Sequence, residues 1–328
     1  MDYGAFVIVG QARSGSTLLS RLLADTGHFL LVNDAYFLQY IDDIKGNDAF
    51  TVGEARKVAD HCLQLLQKRR ITGGVKTVNR SIHLTAAELK ALENTVMEGV
   101  EGCRNGEDVV ALVLRHAAAL SGARIWGWNT PQDYLNVERI FKHFPNARIL
   151  FLIRNPWDVL KSYKNLPHYW GQERRRYHPV LQSLVWRQVV EEYRRLKKLY
   201  PSTIHLMRYE DIVMNRGNVW AGLQDLIGPF PPPAPAASLD RNSSLRHQPP
   251  KPLTWLEKVI CRGIVGSRLT DMGYQPKPDP SSGNRIGAID FIVTSWRSLV
   301  YYAGQATLSR DMRLRIRRFG TSLISRFH

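Results

Sequence analysis

The chain has 328 residues, of which 44% are hydrophobic and 23% are charged, a composition typical of an ordinary globular protein. Its formal net charge of +16 favours an acidic ligand, an acidic polymer or an anionic membrane surface as a partner. The sequence contains no zinc-finger spacing, no aromatic RNA-binding motif and no zipper heptads, so we expect no nucleic-acid partner.

The distribution of apolar residues and cysteines indicates the cellular compartment. No apolar run is long enough to cross a membrane, and the first residues lack the charged and apolar regions of a secretory leader. We therefore expect a cytoplasmic protein. The three cysteines, Cys62, Cys103 and Cys261, are too scattered for a disulfide framework or a metal cluster, which predicts buried or inert thiols.

The first predicted element is a strand over Ala5–Gly10, a continuous apolar run typical of a parallel strand that is buried on both faces. A helix over Ser16–Ala24 follows, because its leucines recur at helical spacing. Strand, glycine-containing turn and helix form the context in which a phosphate-binding loop occurs. Residues 51–123 are mainly helical in pattern and are predicted to be an insertion that covers the substrate side.

Strands and helices alternate along the rest of the main domain. Further strand-like segments are Arg124–Trp128, Arg148–Arg154 and Thr203–Tyr209. Helices are predicted from Pro131 with Thr130 as the N-cap, directly after Arg154, and over Pro179–Leu199. This alternation predicts an α/β fold with a mostly parallel central sheet and helices on both faces.

The C-terminal part of the chain is predicted to be a separate extension. The loop Gly273–Gly283 marks the end of the main domain, which gives a domain over residues 1–278 and an extension over 279–328. Residues 285–328 hold eight arginines against two aspartates and so carry +6 of the total +16. Such a stretch forms either a basic amphipathic helix on an anionic membrane or a helix docked on the domain with solvated arginines.

The segment "VIVGQARSGSTLL" nearly spells a phosphate-binding loop of the form G-x-x-x-x-G-K-[ST]. Gly10, Gly15 and Thr17 occupy their expected places, but Ser16 replaces the lysine and a basic residue, Arg13, lies upstream. Without the lysine a triphosphate loses its main clamp, so a smaller anion bound by Arg13 and backbone N–H groups is favoured. A plain tight turn is the alternative.

A second candidate anion site lies in "RILFLIRNPWDVLKSY". Arg154 ends a buried strand, and Ser162 follows eight positions later, two turns into the next helix. An arginine and a serine hydroxyl in this arrangement could share another phosphate. Taken alone, the pattern also suits a surface arginine and an ordinary serine on a helix face.

Together the two segments resemble those of the sulfotransferase family, over roughly residues 4–276. The resemblance implies a P-loop NTPase-like fold and the donor 3′-phosphoadenosine 5′-phosphosulfate, with no metal. "RYEDIV" and "NSSL" resemble two further donor-binding segments, and "MGY" resembles the usual end of the domain. The donor-binding residues implied by these matches are Arg13, Ser14, Gly15, Ser16, Thr17, Leu18, Arg154, Ser162, Tyr209, Ser243 and Ser244.

The resemblance also implies roles in sulfuryl transfer. Arg13 would face the oxygen that bridges sulfate and phosphate, where negative charge develops. Asp34, in "FLLVNDAYFLQY", is the candidate general base. The alternative for Asp34 is an N-cap of a helix that begins at Ala35. His168 and His83 are further candidates for the base, each more typical of an ordinary histidine.

One residue departs from the family pattern. Related chains often carry a lysine in a K-T-P or K-D-P segment, whereas this chain has Asn129 in "GWNTPQDY". Lys76, in "GGVKTVNR", is the candidate for the missing cation. This substitution leaves the mechanism of transfer open, because an amide donates a hydrogen bond but adds no charge.

The predicted activity is transfer of a sulfuryl group to a hydroxyl, or less readily an amine, of a small molecule, a glycan or a lipid. The segment Gln172–Tyr177 ("QERRRY") either lines an acceptor groove or forms a solvated face. Two other functions remain open. A kinase or nucleotide hydrolase would bind magnesium-ATP, and a non-catalytic binding protein would retain the fold without the base.

Overall fold

The computed structural model describes residues 4–46, 49–67, 70–72, 75–77, 84–165, 177–232 and 251–275. The strands are β1 (Phe6–Gly10), β2 (Phe29–Asn33), β3 (Arg70–Thr72), β4 (Val75–Thr77), β5 (Ile125–Asn129), β6 (Arg148–Ile153) and β7 (Ile204–Arg208). The helices are α1 (Ser16–Ala24), α2 (Phe37–Ile44), α3 (Val52–Gln67), α4 (Ala86–Gly99), α5 (Gly106–Leu120), α6 (Val137–His143), α7 (Pro156–Lys164), α8 (Pro179–Leu199), α9 (Tyr209–Met214), α10 (Arg216–Ile227), α11 (Trp255–Val265) and α12 (Arg268–Asp271).

Five of the described strands form a parallel sheet in the order β2-β5-β1-β6-β7. The predicted α/β fold with a parallel sheet is therefore confirmed. The central strand β1 is buried along its whole length, as its continuous apolar run predicts. Because the strands are parallel, their carboxyl ends meet at one edge, where ligands bind in open α/β sheets.

Helices cover both faces of the sheet. Phe6 and Ile8 of β1 join a buried cluster with Leu19 of α1 and Leu223 of α10. Successive side chains of a strand point to opposite faces of the sheet. On the other face, too, helix residues contact strand residues. Phe37 of α2 packs edge-on against Trp128, with the ring centres 5.9 Å apart. Phe151 packs against Tyr193 of α8, with the ring centres 5.6 Å apart.

The segment after β5 departs from the prediction of a regular helix. Pro131–Leu135 forms a 3₁₀ turn, and an α-helix begins only at Val137. The side chain of Thr130 makes no N-capping hydrogen bond. The hydroxyl oxygen of Thr130 instead accepts a hydrogen bond from the backbone N–H of Tyr36, at 3.2 Å, so a long-range contact replaces the predicted local one.

The described residues of the range 51–123 are mainly helical, as predicted, and form α3, α4 and α5 together with a short hairpin. In the hairpin β3 pairs antiparallel with β4, and Lys76 lies opposite Ile71. The hairpin is described by its backbone alone. Its three-residue strands are too short to produce a recognisable pattern of alternation in the sequence.

The chain divides into two compact units. The first contains the described residues of Met1–Asn155 and Gln188–Arg241, and includes the whole parallel sheet. The second contains the described residues of Pro156–Arg187 and Asn242–His328. Within the second unit, Lys164 Nζ lies 2.8 Å from a carboxylate oxygen of Glu257, which joins α7 to α11. The predicted extension, residues 279–328, lies outside the described residues.

All three cysteines are free thiols; Cys62 and Cys261 are buried, as predicted, and Cys103 is half-buried. Burial raises the pKa of Cys62, and it raises the pKa of Cys261 to about 11, so both remain protonated at neutral pH. Among the described helices, none is both long and apolar enough to span a membrane.

Candidate active site

The carboxyl edge of the sheet brings together segments that lie far apart in the sequence. The loop of residues 11–15 follows β1, and the turn that contains Asp34 follows β2. Asn129 ends β5, Arg154 follows β6, and Tyr209 follows β7. All of these residues belong to the first compact unit. Motifs that lie far apart in the sequence are therefore close together at one edge of the sheet.

The loop after β1 has the features of an anion site. Gly15, with φ of 91°, is the N-cap of α1 and makes no side-chain capping bond, so the first N–H groups of the helix are available to an anion. Ser14 is fully buried, and its Oγ has no hydrogen-bond partner among the described residues. Arg13, with φ of 74°, also adopts the left-handed conformation that L-residues disfavour.

Arg154, which directly follows the neighbouring strand β6, contacts this loop. Its Nη1 donates to the backbone carbonyl of Arg13 at 3.4 Å, and its guanidinium lies 4.3 Å from the centre of the Tyr209 ring. The same ring packs on the loop, since a Cβ added to Gly15 would lie 2.3 Å from Cδ2 of Tyr209. The structure thus brings Arg13, Gly15, Arg154 and Tyr209 into one cluster.

The first turn of α9 stabilises this cluster. Glu210 accepts a hydrogen bond from the backbone N–H of Asn155 at 2.9 Å, directly after Arg154. Asp211 pairs with Arg208, with both contacts at 2.8 Å. Sequence reasoning missed Glu210, because its partner lies 55 positions away and is a backbone group.

Gly10 has a different role from the one that the loop pattern suggests. Its φ is 144°, and an added Cβ would lie 2.2 Å from the carbonyl oxygen of Leu152. The glycine is therefore required for the close approach of β6 to β1. The contact between the two strands therefore accounts for a glycine at this position without any contact to a ligand.

Asp34 lies in a strained turn at the end of β2. Its φ is 51°, and that of Tyr36 is 47°. The helix α2 begins at Phe37 with Tyr36 as its N-cap, so the alternative of Asp34 as the cap of a helix beginning at Ala35 is wrong. The backbone N–H of Asp34 instead donates to the carbonyl of Asn129 at 2.8 Å.

Asn129, which replaces the expected lysine, is buried with 1% exposure. Its Nδ2 donates to Oδ1 of Asn33 at 2.9 Å. Its own Oδ1 has no hydrogen-bond partner within the described part of the chain. The amide therefore donates to an acceptor on the neighbouring strand, a contact 96 positions apart that no local pattern indicates.

A protein-family model described as the sulfotransferase family matches residues 5–229. The chain belongs to the sulfotransferase family. It is therefore an enzyme of this class, and the matched range includes the loop, Asp34, Arg154 and Tyr209. None of the curated proteins matches the chain.

Solved sulfotransferase structures also resemble the chain. The sulfotransferase domain of the Synechococcus PCC 7002 olefin synthase is 18% identical, with a TM-score of 0.44, over 89% of this chain and 92% of that one. Sulfotransferase STF9 from Mycobacterium avium is 13% identical, with a TM-score of 0.46, over 84% and 78%. Sulfotransferase STF1 from Mycobacterium tuberculosis H37Rv is 12% identical, with a TM-score of 0.34, over 90% and 76%.

The remaining predicted residues of this sulfotransferase are described to different extents. Ser16 is buried, Thr17 is exposed, and Leu18 packs against the apolar cluster beneath α1. Ser162 is buried on α7 in the second unit. For Lys76 the backbone alone is described. His83, His168, Ser243 and Ser244 lie outside the described residues.

The segment Gln172–Tyr177, a candidate for the acceptor groove, is described at its last residue. Tyr177 is buried, and its hydroxyl donates to Glu257 at 2.6 Å in the second unit. Burial, followed by the Glu257 charge, raises the pKa of Tyr177. This tyrosine therefore has a structural contact of its own. Within the described ranges, no group of three or more His, Cys, Asp or Glu is arranged to hold a metal.

Proposed function

We propose that this sulfotransferase moves a sulfuryl group from 3′-phosphoadenosine 5′-phosphosulfate to a hydroxyl, or less readily an amine, of a small molecule, a glycan or a lipid. The observation that carries the proposal is the cluster of Arg13, Arg154 and Tyr209 around the loop after β1. It unites the guanidinium of Arg154, the backbone of Arg13, an uncapped helix N-terminus and an aromatic ring at one sheet edge.

The residues present suit such a donor. The buried Oγ of Ser14 lacks a hydrogen-bond partner among the described residues, and a buried hydroxyl of this kind is stabilised by a polar ligand. The N-terminus of α1 favours negative charge, because its N–H groups and the helix dipole point towards the loop. Two arginines add full positive charge where a P-loop enzyme has one lysine.

Each residue would have a distinct task. The N–H groups of the loop, with the hydroxyls of Ser16 and Thr17, would bind the 5′ end of the donor, and Arg154 would bind its 3′-phosphate. Tyr209 would offer an aromatic face close to the adenine. When bound, the donor supplies the sulfuryl group and leaves as adenosine 3′,5′-bisphosphate.

Asp34 and Arg13 would serve the transfer itself. The acceptor hydroxyl must lose its proton as its oxygen bonds to sulfur, and the carboxylate of Asp34 would take that proton. The electron pair of the breaking S–O bond stays on the donor phosphate. Arg13 would stabilise the charge that develops there. These roles require no metal ion.

Ligand-dependent melting tests the donor. Adenosine 3′,5′-bisphosphate at about a hundred times its dissociation constant should add roughly 2.7 kcal/mol to the free energy of unfolding, without magnesium. A melting temperature that stays constant with the bisphosphate but rises with magnesium-ATP would instead indicate a kinase or nucleotide hydrolase.

The acceptor can be found with donor labelled in its sulfate group. The enzyme is incubated with labelled donor and an extract of the source cells, and the compound that gains the label is identified by mass. We expect one class of hydroxyl compound to gain it. Binding of the bisphosphate without any transfer of label would indicate a non-catalytic binding protein.

A further inference from the structure

The turn after β2 is unusual in its backbone. Within the described ranges, three non-glycine residues have positive φ, and two of them, Asp34 and Tyr36, lie in this turn. L-residues disfavour this conformation, because Cβ crowds the following carbonyl oxygen. Such a conformation persists where surrounding contacts determine it, and it is concentrated at functional sites.

The contacts that determine this turn include three from two adjacent residues at the end of β5. The carbonyl of Asn129 accepts from the N–H of Asp34 at 2.8 Å, and its Nδ2 donates to Asn33 at 2.9 Å. The hydroxyl oxygen of Thr130 accepts from the N–H of Tyr36 at 3.2 Å. Asn33, Asp34 and Tyr36 are thus all bound to one neighbouring dipeptide.

The dipeptide is itself firmly held. Asn129 and Thr130 are each 1% exposed, so water does not compete for their hydrogen bonds. The carbonyl of Thr130 accepts from the N–H of Asp133 at 2.9 Å. The carboxylate of Asp133 in turn accepts from the indole N–H of Trp128 at 2.8 Å, within the buried core. The contacts to the Asp34 turn therefore start from a rigid support.

We propose that Asn129 and Thr130 are positioning residues that hold Asp34 in the orientation required of the base. This proposal rests on the proposed function of Asp34 and explains the departure from the family lysine. At this position the chain exchanges a cation for an amide that aligns the neighbouring turn. Thr130, whose hydroxyl binds the N–H of Tyr36, completes the alignment.

Hydrogen exchange tests the contact without reference to activity. Thr130→Val removes the acceptor and nearly preserves the shape, whereas Thr130→Ser keeps the hydroxyl. Exchange of the Tyr36 amide should rise about tenfold or more in the valine variant and stay near wild type in the serine variant. Unchanged exchange in Thr130→Val would overturn the proposal.

Thr26 provides a matched control, because its hydroxyl accepts from the N–H of His28 at 3.3 Å in the turn before β2. Thr26→Val should increase exchange at His28 and leave sulfuryl transfer unaffected. A comparable loss of transfer in both valine variants would mean that any loosened turn impairs the enzyme, which would contradict a specific role for Thr130.

The rate at which labelled sulfate is transferred from the donor to the acceptor in the cell extract tests whether Thr130 affects the action of Asp34. Thr130→Val should lower transfer by about ten- to a hundred-fold, because misplacing a catalytic group by an ångström has an effect of this order. The affinity for adenosine 3′,5′-bisphosphate should stay within about twofold, since the donor cluster is not altered. Increased exchange with normal transfer would overturn the proposal.

A double variant separates this proposal from the proposed function. If Thr130 acts through Asp34, Asp34→Asn with Thr130→Val should transfer no more slowly than Asp34→Asn alone. A further loss would show that Thr130 acts by another route. If Asp34→Asn alone transfers normally, the assignment of the base fails, and a raised exchange rate in Thr130→Val still shows that the contact exists.

Discussion

The loop after β1 and the turn after β2 lie at the same edge of the sheet but present different chemical groups. Both contain a left-handed residue that is not glycine, Arg13 in the loop and Asp34 in the turn. The loop presents backbone N–H groups around Gly15, with Tyr209 and Arg154 packed against it. The turn presents one carboxylate, and its backbone is held by the carbonyl of Asn129 and the hydroxyl of Thr130.

This difference indicates how each region tolerates change. A site made of N–H groups depends on backbone shape, so it is sensitive where a Cβ would intrude and less sensitive elsewhere. A general base depends on its own side chain and on the contacts that aim it. Substitutions should therefore affect donor affinity in the first region and the rate of transfer in the second.

The largest effect is expected at Asp34. Asp34→Asn removes the proton acceptor and should lower the rate of transfer by about 10² to 10⁴. The affinity for adenosine 3′,5′-bisphosphate and the melting temperature should stay close to wild type, because Asp34 does not cap α2. Labelled-donor turnover together with calorimetric titration measures both quantities. A normal rate would show that the base is another residue.

Arg154→Ala should have the next largest effect, on binding. It deletes a charge-assisted contact worth about 1.5 to 3 kcal/mol, which corresponds to roughly ten- to a hundred-fold in the dissociation constant of the bisphosphate. Arg148→Ala is the matched control, because Arg148 begins the same strand at the opposite edge and bonds to the carbonyl of Asn146. If calorimetry gives the two variants equal affinity for the bisphosphate, Arg154 is not part of the donor site.

Gly15→Ala should have a moderate effect on both stability and binding. The left-handed backbone costs about 1–2 kcal/mol for a residue with a Cβ, and that Cβ would also displace the ring of Tyr209. Gly27 has φ of 72° and no atom within 4 Å of an added Cβ, so Gly27→Ala isolates the backbone cost. Denaturant unfolding and bisphosphate titration should show that only Gly15→Ala weakens binding.

The smallest expected effect measures the strain at Asp34. Asp34→Gly should be more stable than Asp34→Ala by about 1 kcal/mol, because glycine adopts positive φ without a steric penalty. At the exposed Asp43, within the helix α2, the order should reverse, since alanine is the better helix former by about 1 kcal/mol. Equal stability of the two Asp34 variants in urea would show that the turn is not strained.

The elements that the sequence predicted well are those with strong local signals. The apolar run of β1 and the leucine spacing of α1 depend on neighbours in the chain, and the structure confirms both. The segment after β5 shows where local signals fail. Thr130 and Pro131 match the usual start of a helix, yet the hydroxyl of Thr130 bonds to Tyr36, 94 positions away. Tertiary contact overrode a preference worth about 1 kcal/mol.

The sequence by itself determined the family, the parallel sheet and the two candidate anion segments, because strand and helix periods and loop glycines act over a few residues. Only the tertiary structure decided which groups meet. It placed Arg154 on Tyr209 and on the carbonyl of Arg13, and it paired Asn129 with Asn33. These contacts join different strands, and their partners depend on strand order, which the local pattern of a single sequence does not encode.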